Sequence, residues 1–140
     1  MPNTRSILVV DDEETDRSVI LNTLQREGFR VIASETYEEA LAAANSDASI
    51  FFLVADVALP DGNGCALALT LKQKFPKLKV LFVSGHVGSQ ACRYYGLDVT
   101  DTHFLRKPFS SAELIARVHA VIESSKPFPE MYFKPSGAGF

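Results

Sequence analysis

Along the chain, short unbroken apolar runs take turns with longer stretches in which apolar residues recur every three or four positions. The unbroken runs are "SILVV" (6–10), "RVIA" (30–33), "IFFLVA" (50–55), "KVLFVS" (79–84) and "THFLR" (102–106). They are rich in Val, Ile and Phe and continuous instead of alternating, which suits strands covered on both faces. The pattern predicts five parallel strands. Between them lie single helical stripes: Val19, Ile20 and Leu24 in the first, Ala40, Leu41 and Ala44 in the second, Leu67, Leu71 and Phe75 in the third. A fourth helix falls around "SQACRYY" (89–95), where the period is weakest. The fifth is the clearest, because Leu114, Ile115, Val118, Val121 and Ile122 follow Ser110 and Glu113, a capping-box pair. Thr36 and Glu39 repeat that signal at the second helix. Gly28, Gly96 and Pro76 stand where the first, fourth and third helices should stop. The alternation implies an α/β fold, a parallel sheet doubly wound by helices on both faces.

Composition narrows this to one domain: 140 residues that are 46% hydrophobic and 22% charged suffice for a single core. After Glu123 the period stops, and "SSKPFPEMYFKPSGAGF" holds three prolines and two glycines. We therefore divide the chain into a domain over 1–124 and a tail or linker over 125–140, which is expected to be loosely ordered. A net charge of -3 offers no basic face for nucleic acid. No apolar run reaches the roughly 20 residues that span a bilayer, and "MPNTRS" leads straight into a strand, so a cytoplasmic protein without membrane contact is expected. Cys65 and Cys92 lack metal-ligand spacing. In that compartment they read as small buried fillers, with no disulfide.

Ligands of doubly wound sheets bind beyond the carboxyl ends of the strands. Asp11 and Asp12 follow the first predicted strand, Asp56 ends the third, Ser84 ends the fourth, and Lys107 follows the fifth. Taken singly, such residues are ordinarily turn formers, helix caps or solvated charges. Together at successive strand ends they form a coherent set, and carboxylates brought that close repel one another unless a hard cation such as Mg²⁺ lies among them. Glu13 and Glu14 fit instead the first turn of a helix, where the dipole favours negative charge.

The stretches "VVDDE", "VADVALPDGNG", "FVSGH" and "FLRKPF", in this order and spacing, resemble the receiver domains of two-component response regulators, the chemotaxis-regulator-like phosphoacceptor domains, over roughly residues 5 to 124. The resemblance implies a flavodoxin-like five-stranded sheet in the order 2-1-3-4-5. It also implies that Asp56 accepts a phosphoryl group from a histidine kinase or phosphotransfer protein. Asp11, Asp12, Asp56 and the main-chain carbonyl of Ala58 would hold Mg²⁺, for which Mn²⁺ can substitute. Ser84 would bind the attached phosphoryl group, Lys107 would neutralise it, and Phe104 would be the aromatic switch. A cis peptide is implied between Lys107 and Pro108, and Pro60 and Gly64 would carry the chain from the acceptor loop into the third helix. The output would be a change in the face of the fourth helix, fifth strand and fifth helix, regulating a downstream effector.

On that face Arg93, Asp98, Arg106 and Arg117 suggest charge pairs across a two-fold axis, hence a phosphorylation-dependent homodimer. Ala58 brings no polar group to the water of hydrolysis, and His86, two residues past Ser84, either helps or hinders that water or is plain surface of the loop into the fourth helix. A degenerate receiver acting as a constitutive interaction module would have lost acceptor, acid or lysine, and none is missing. A phosphohydrolase with an aspartyl nucleophile would ordinarily carry a second acid where Ala58 stands, so the chain is expected to assist only its own phosphorylation and dephosphorylation. A nucleotide-binding fold lacks support, because acids replace any GxGxxG or Walker pattern after the first strand.

Overall fold

The computed structural model describes residues 5–85, 98–99, 103–124 and 133–134, the two dipeptides by their backbone alone. Strand β1 (Ser6–Val10) is buried along its whole length. It pairs in parallel with β2 (Arg30–Ser34) on one side and with β3 (Ile50–Asp56) on the other. Then follow β6 (Lys79–Ser84), parallel to β3, and β8 (Phe104–Arg106), parallel to β6. The order β2-β1-β3-β6-β8 is the 2-1-3-4-5 order of the five long strands. The doubly wound flavodoxin-like expectation holds.

Helix α1 (Glu14–Arg26) packs against α4 (Ser111–Glu123), where the hydroxyls of Thr23 and Ser111 lie 3.0 Å apart. Helices α2 (Tyr37–Ser46) and α3 (Gly64–Lys74) pack together. Lys74 Nζ donates to the Ala44 carbonyl at 2.8 Å, supplying the positive charge that the last turn of α2 lacks. The helix expected near 89–95, with Gly96, His86, Cys92 and Arg93, lies outside the described residues.

Most of the sequence-derived boundaries are set by the chemistry expected of them. Gly28 ends α1 at φ +93, a left-handed conformation open to glycine. At α4, Ser110 and Glu113 form the full capping box. At α2 only half of the box forms: Thr36 accepts the Glu39 N–H, but the Glu39 carboxylate takes the N–H of Glu35 at 2.9 Å. The first turn gains a further cap from afar, because Asp61 accepts the N–H groups of Tyr37 and Glu38 at 2.8 and 3.1 Å.

Two expectations need correcting. Val19 is 37% exposed, and Thr23 completes the buried stripe of α1 with Ile20 and Leu24, since i, i+3 and i+4 share a face and i−1 does not. Cys65 is fully buried as expected, yet it is disulfide-bonded, because spacing along the chain does not report which sulfurs the fold brings together. Among the described residues of the tail, β9 (Phe133–Lys134) pairs antiparallel with β7 (Asp98–Val99).

His103, just before β8, is 1% exposed. Burial, then the positive charges of Lys79 and Arg117, push its pKa down from 6.5 to about 4. A depressed value means stability that is complete above pH 6.5 and lost as pH falls toward 4, by up to about 3 kcal/mol. Urea unfolding at pH 7 and pH 5 should therefore show a smaller acid loss for His103→Gln than for the parent chain. Equal losses would mean that His103 is protonated in the fold.

Candidate functional site

The carboxyl ends of β1, β3, β6 and β8 bring the expected residues to one edge of the sheet. Asp56 is the last residue of β3 and is opposite Val83, so Ser84 lies one step beyond it on β6. The Lys107 N–H donates to the Ser84 carbonyl at 2.8 Å, which ties the lysine loop to the end of β6. The peptide between Lys107 and Pro108 is cis.

At the centre is an ammonium among acids. Lys107 Nζ lies 2.8 Å from Asp56 Oδ2, 2.8 Å from Asp11 Oδ2 and 3.1 Å from Asp16 Oδ2. The other oxygen of Asp56 accepts the Ala58 N–H at 3.0 Å, and Asp11 Oδ1 accepts the Glu13 N–H at 2.9 Å. Asp11 is fully buried and Asp56 nearly so, whereas Asp12 is exposed. Burial raises the Asp11 pKa above the usual carboxylate range; Lys107 and the Glu13 N–H oppose the rise, and the charge of Asp56 adds to it. Burial works against the charge of Lys107 too, but the adjacent carboxylates of Asp11 and Asp56 prevail and hold it protonated.

The acids also suit a divalent cation. Carboxylate oxygens of Asp11, Asp12 and Asp56 lie within 4.8 Å of one another. Asp11 Oδ2 is buried and, although close to the ammonium, outside hydrogen-bond geometry, so it retains capacity for a cation. Three hard oxygens, one of them exposed to water, match the donors that Mg²⁺ takes while keeping part of its hydration.

Gly64 belongs to the site although it carries no side chain. A Cβ there would stand 2.3 Å from the Asp56 carbonyl oxygen. The loop from Asp56 to Gly64 folds as a hairpin of β4 (Ala58–Leu59) and β5 (Gly62–Asn63), turning at Pro60, and Asn63 caps α3 by accepting the N–H groups of Cys65 and Ala66. Ala58, whose N–H holds Asp56, is exposed in β4.

Ser84 is buried, and Phe104 is half-buried beside the core, paired with Phe82 across β6 and β8. Arg117 donates to the Phe104 carbonyl, so this proposed surface charge is engaged within the domain, while Arg106 is exposed. Of Asp98 only the backbone is described. Asp16 was not foreseen; its one signal is that it stands a helical turn past Asp12. Arg17 was also missed, and it donates from Nη1 to the Asp11 carbonyl at 2.9 Å while Nη2 lies 3.4 Å from Glu35.

The profile of the response regulator receiver domain matches residues 7–119. The transcriptional regulatory protein CpxR of Escherichia coli (strain K12) is 34% identical over 119 residues, which are 85% of this chain and 50% of that protein. The alkaline phosphatase synthesis transcriptional regulatory protein PhoP of Bacillus subtilis (strain 168) is 32% identical over 122 residues, 87% of this chain and 50% of that one. The chain thus spans about half the length of these relatives. Among solved structures, a response regulator receiver protein from Sinorhizobium medicae superposes with a TM-score of 0.74 at 28% identity, covering 87% of this chain and 97% of the other. NtrX from Brucella abortus superposes with a TM-score of 0.71 at 31% identity, covering 84% and 26%.

Proposed function

The chain belongs to the response regulator receiver domain family, and from that premise we propose that it accepts a phosphoryl group on Asp56 from a histidine kinase or phosphotransfer protein. The observation that carries this reading is the Asp56 carboxylate, held at 2.8 Å by Lys107 and grouped with Asp11 and Asp12. In the transfer, the bond from phosphorus to the donor breaks with its electron pair leaving on the donor, and a bond from phosphorus to an Asp56 oxygen forms.

Two anions approach each other in this step, so their repulsion has to be cancelled at the site. Asp11, Asp12 and Asp56 would hold Mg²⁺ or Mn²⁺, with the Ala58 carbonyl as the expected further ligand. When bound, the ion supplies charge neutralisation for the incoming phosphoryl oxygens. Lys107 supplies the same from the chain itself and orients the carboxylate. The Ala58 N–H fixes the other carboxylate oxygen, which limits rotation of the nucleophile.

Once attached, the phosphoryl group brings more charge and more acceptor oxygens than the carboxylate it replaces. Ser84 and Lys107, joined through their main chains, would take up those oxygens, and Phe104 would follow into the space that Ser84 leaves. The face containing β8 and α4 then changes shape and regulates an effector. That effector is a protein bound through this face, with no direct contact to nucleic acid or membrane, or a second phosphorylated copy in a homodimer. No helix among the described residues is long and apolar enough to cross a membrane, and we place the reaction in the cytoplasm. The relatives' names describe transcriptional regulators, so control of transcription is the output we favour for the whole system. The chain assists only its own phosphorylation and dephosphorylation.

Acetyl phosphate with and without Mg²⁺, followed by mass measurement, tests the proposal. The chain should gain one phosphoryl group only with the metal, and Asp56→Asn should gain none. Undiminished labelling of Asp56→Asn, or full labelling in excess chelator, contradicts it.

A further inference from the structure

The ammonium of Lys107 has three N–H bonds and three carboxylates within reach, Asp11, Asp16 and Asp56. The proposed chemistry requires the first and last of these. Asp16 has no part in it: it stands in the first turn of α1 and its side chain is 34% exposed. Nor does it belong to the three acids grouped within 4.8 Å. It is nonetheless not a loose surface acid. The next residue, Arg17, bonds to the Asp11 carbonyl and faces Glu35, so the first turn of α1 is fastened to the end of β1 and directs Asp16 at the lysine.

We infer that Asp16 is a positioning residue of the site: its carboxylate holds the Lys107 ammonium in the resting domain and has to release it before the lysine can neutralise a phosphoryl group on Asp56. The inference rests on the reading of Asp56 as acceptor. Among the three partners Asp16 is the exchangeable one, since it has the longest contact and the greatest exposure, and its carboxylate is rehydrated on release.

Two effects of opposite sign follow. As a negative charge beside the acidic group, Asp16 favours binding of a divalent cation. As a competitor for Lys107, and as a charge of the same sign as the phosphoryl group, it weakens the hold on that group. An acid that served only to stabilise α1 would move neither quantity, or both together with stability.

The test uses the full chain with Asp16→Asn and Asp16→Glu. Calorimetric titration with Mg²⁺ alone is followed, at saturating Mg²⁺, by titration with fluoroberyllate as the phosphoryl mimic. Asp16→Asn should weaken Mg²⁺ binding and tighten fluoroberyllate binding, each by about two- to fivefold, the range expected for a partly exposed charge pair. Asp16→Glu should restore both. Titrations of Asp16→Asn that match the parent chain, or that shift in the same direction, overturn the inference while the acceptor reading stands. If the parent chain neither binds fluoroberyllate nor takes phosphate from acetyl phosphate on Asp56, the acceptor reading has failed and the inference falls with it.

Discussion

Lys107→Met should destabilise the domain by about 3 kcal/mol at pH 7 in the absence of metal, because it removes the shared cation of two buried acids. Asp11 is fully buried and Asp56 is 6% exposed, and among the described contacts their carboxylates meet no cationic side chain other than Lys107, since Arg17 binds the Asp11 main-chain carbonyl. The Asp11 pKa is already raised by burial, with Lys107 opposing the rise, so the substitution should raise it further. A carboxyl group with a raised pKa in the fold contributes stability below its ordinary value of 3.8 and loses it as pH rises through the folded value. The gap between Lys107→Met and the parent should therefore be widest near neutrality and narrow as the pH falls toward 4. Saturating Mg²⁺ should narrow it too, by replacing the missing charge. Urea unfolding across that pH range measures both, and a gap independent of pH and of Mg²⁺ would show that the lost contact is packing, not charge.

Gly64→Ala should lower the rate of labelling by acetyl phosphate about a hundredfold, the order expected when a reacting group is displaced by about 1 Å. The added carbon would meet the Asp56 carbonyl oxygen at 2.3 Å, its carbonyl carbon at 3.0 Å and Val57 Cα at 3.2 Å. All three are backbone atoms, so no side chain can swing away, and the peptide that carries the acceptor has to move. Overpacking of this kind also destabilises by about 1–3 kcal/mol, which thermal melting would register while the domain stays folded. Gly85→Ala is the matched control, since a Cβ there meets nothing within 4 Å. Labelling of Gly64→Ala within twofold of the parent rate would show that the acceptor peptide tolerates the shift.

The strands were legible because a strand buried on both faces has to be apolar throughout, and β1 and β3 are buried almost completely. Their carboxyl ends were legible because charge standing directly behind such a run has no local reason to be there; that is how Asp11, Asp56 and Lys107 could be read as one group. The stripes of the described helices were read to within one residue, and Val19 shows the error, a single 100° step that separates core from solvent. Contacts between residues distant in sequence were not legible. Asp61 completes the cap of α2 across 24 positions, and Asp16 reaches a lysine from the opposite end of the chain. Asp61 looks like a solvated charge until the fold supplies its partners, and Asp16 is marked only by its four-residue spacing from Asp12. The bonded state of Cys65 was missed for the same reason.

The hairpin that follows Asp56 is fastened at both ends. At its root the Gly64 N–H donates to the Val57 carbonyl at 2.8 Å, and at its tip Asp61 grips the first turn of α2 while Gly62 lies under the Tyr37 ring, where a Cβ would come within 2.7 Å. In mechanical terms this loop is a short beam clamped at each end, and such a beam bends little under a load applied near one support. The opposite wall of the site is built differently, for Lys107 is joined to β6 by one main-chain bond to Ser84 and otherwise reaches the acids on a flexible four-carbon stem. On these contacts we expect the side of α2 and α3 to be the stiffer one, and a load placed on Asp56 to be relieved toward Ser84 and Lys107.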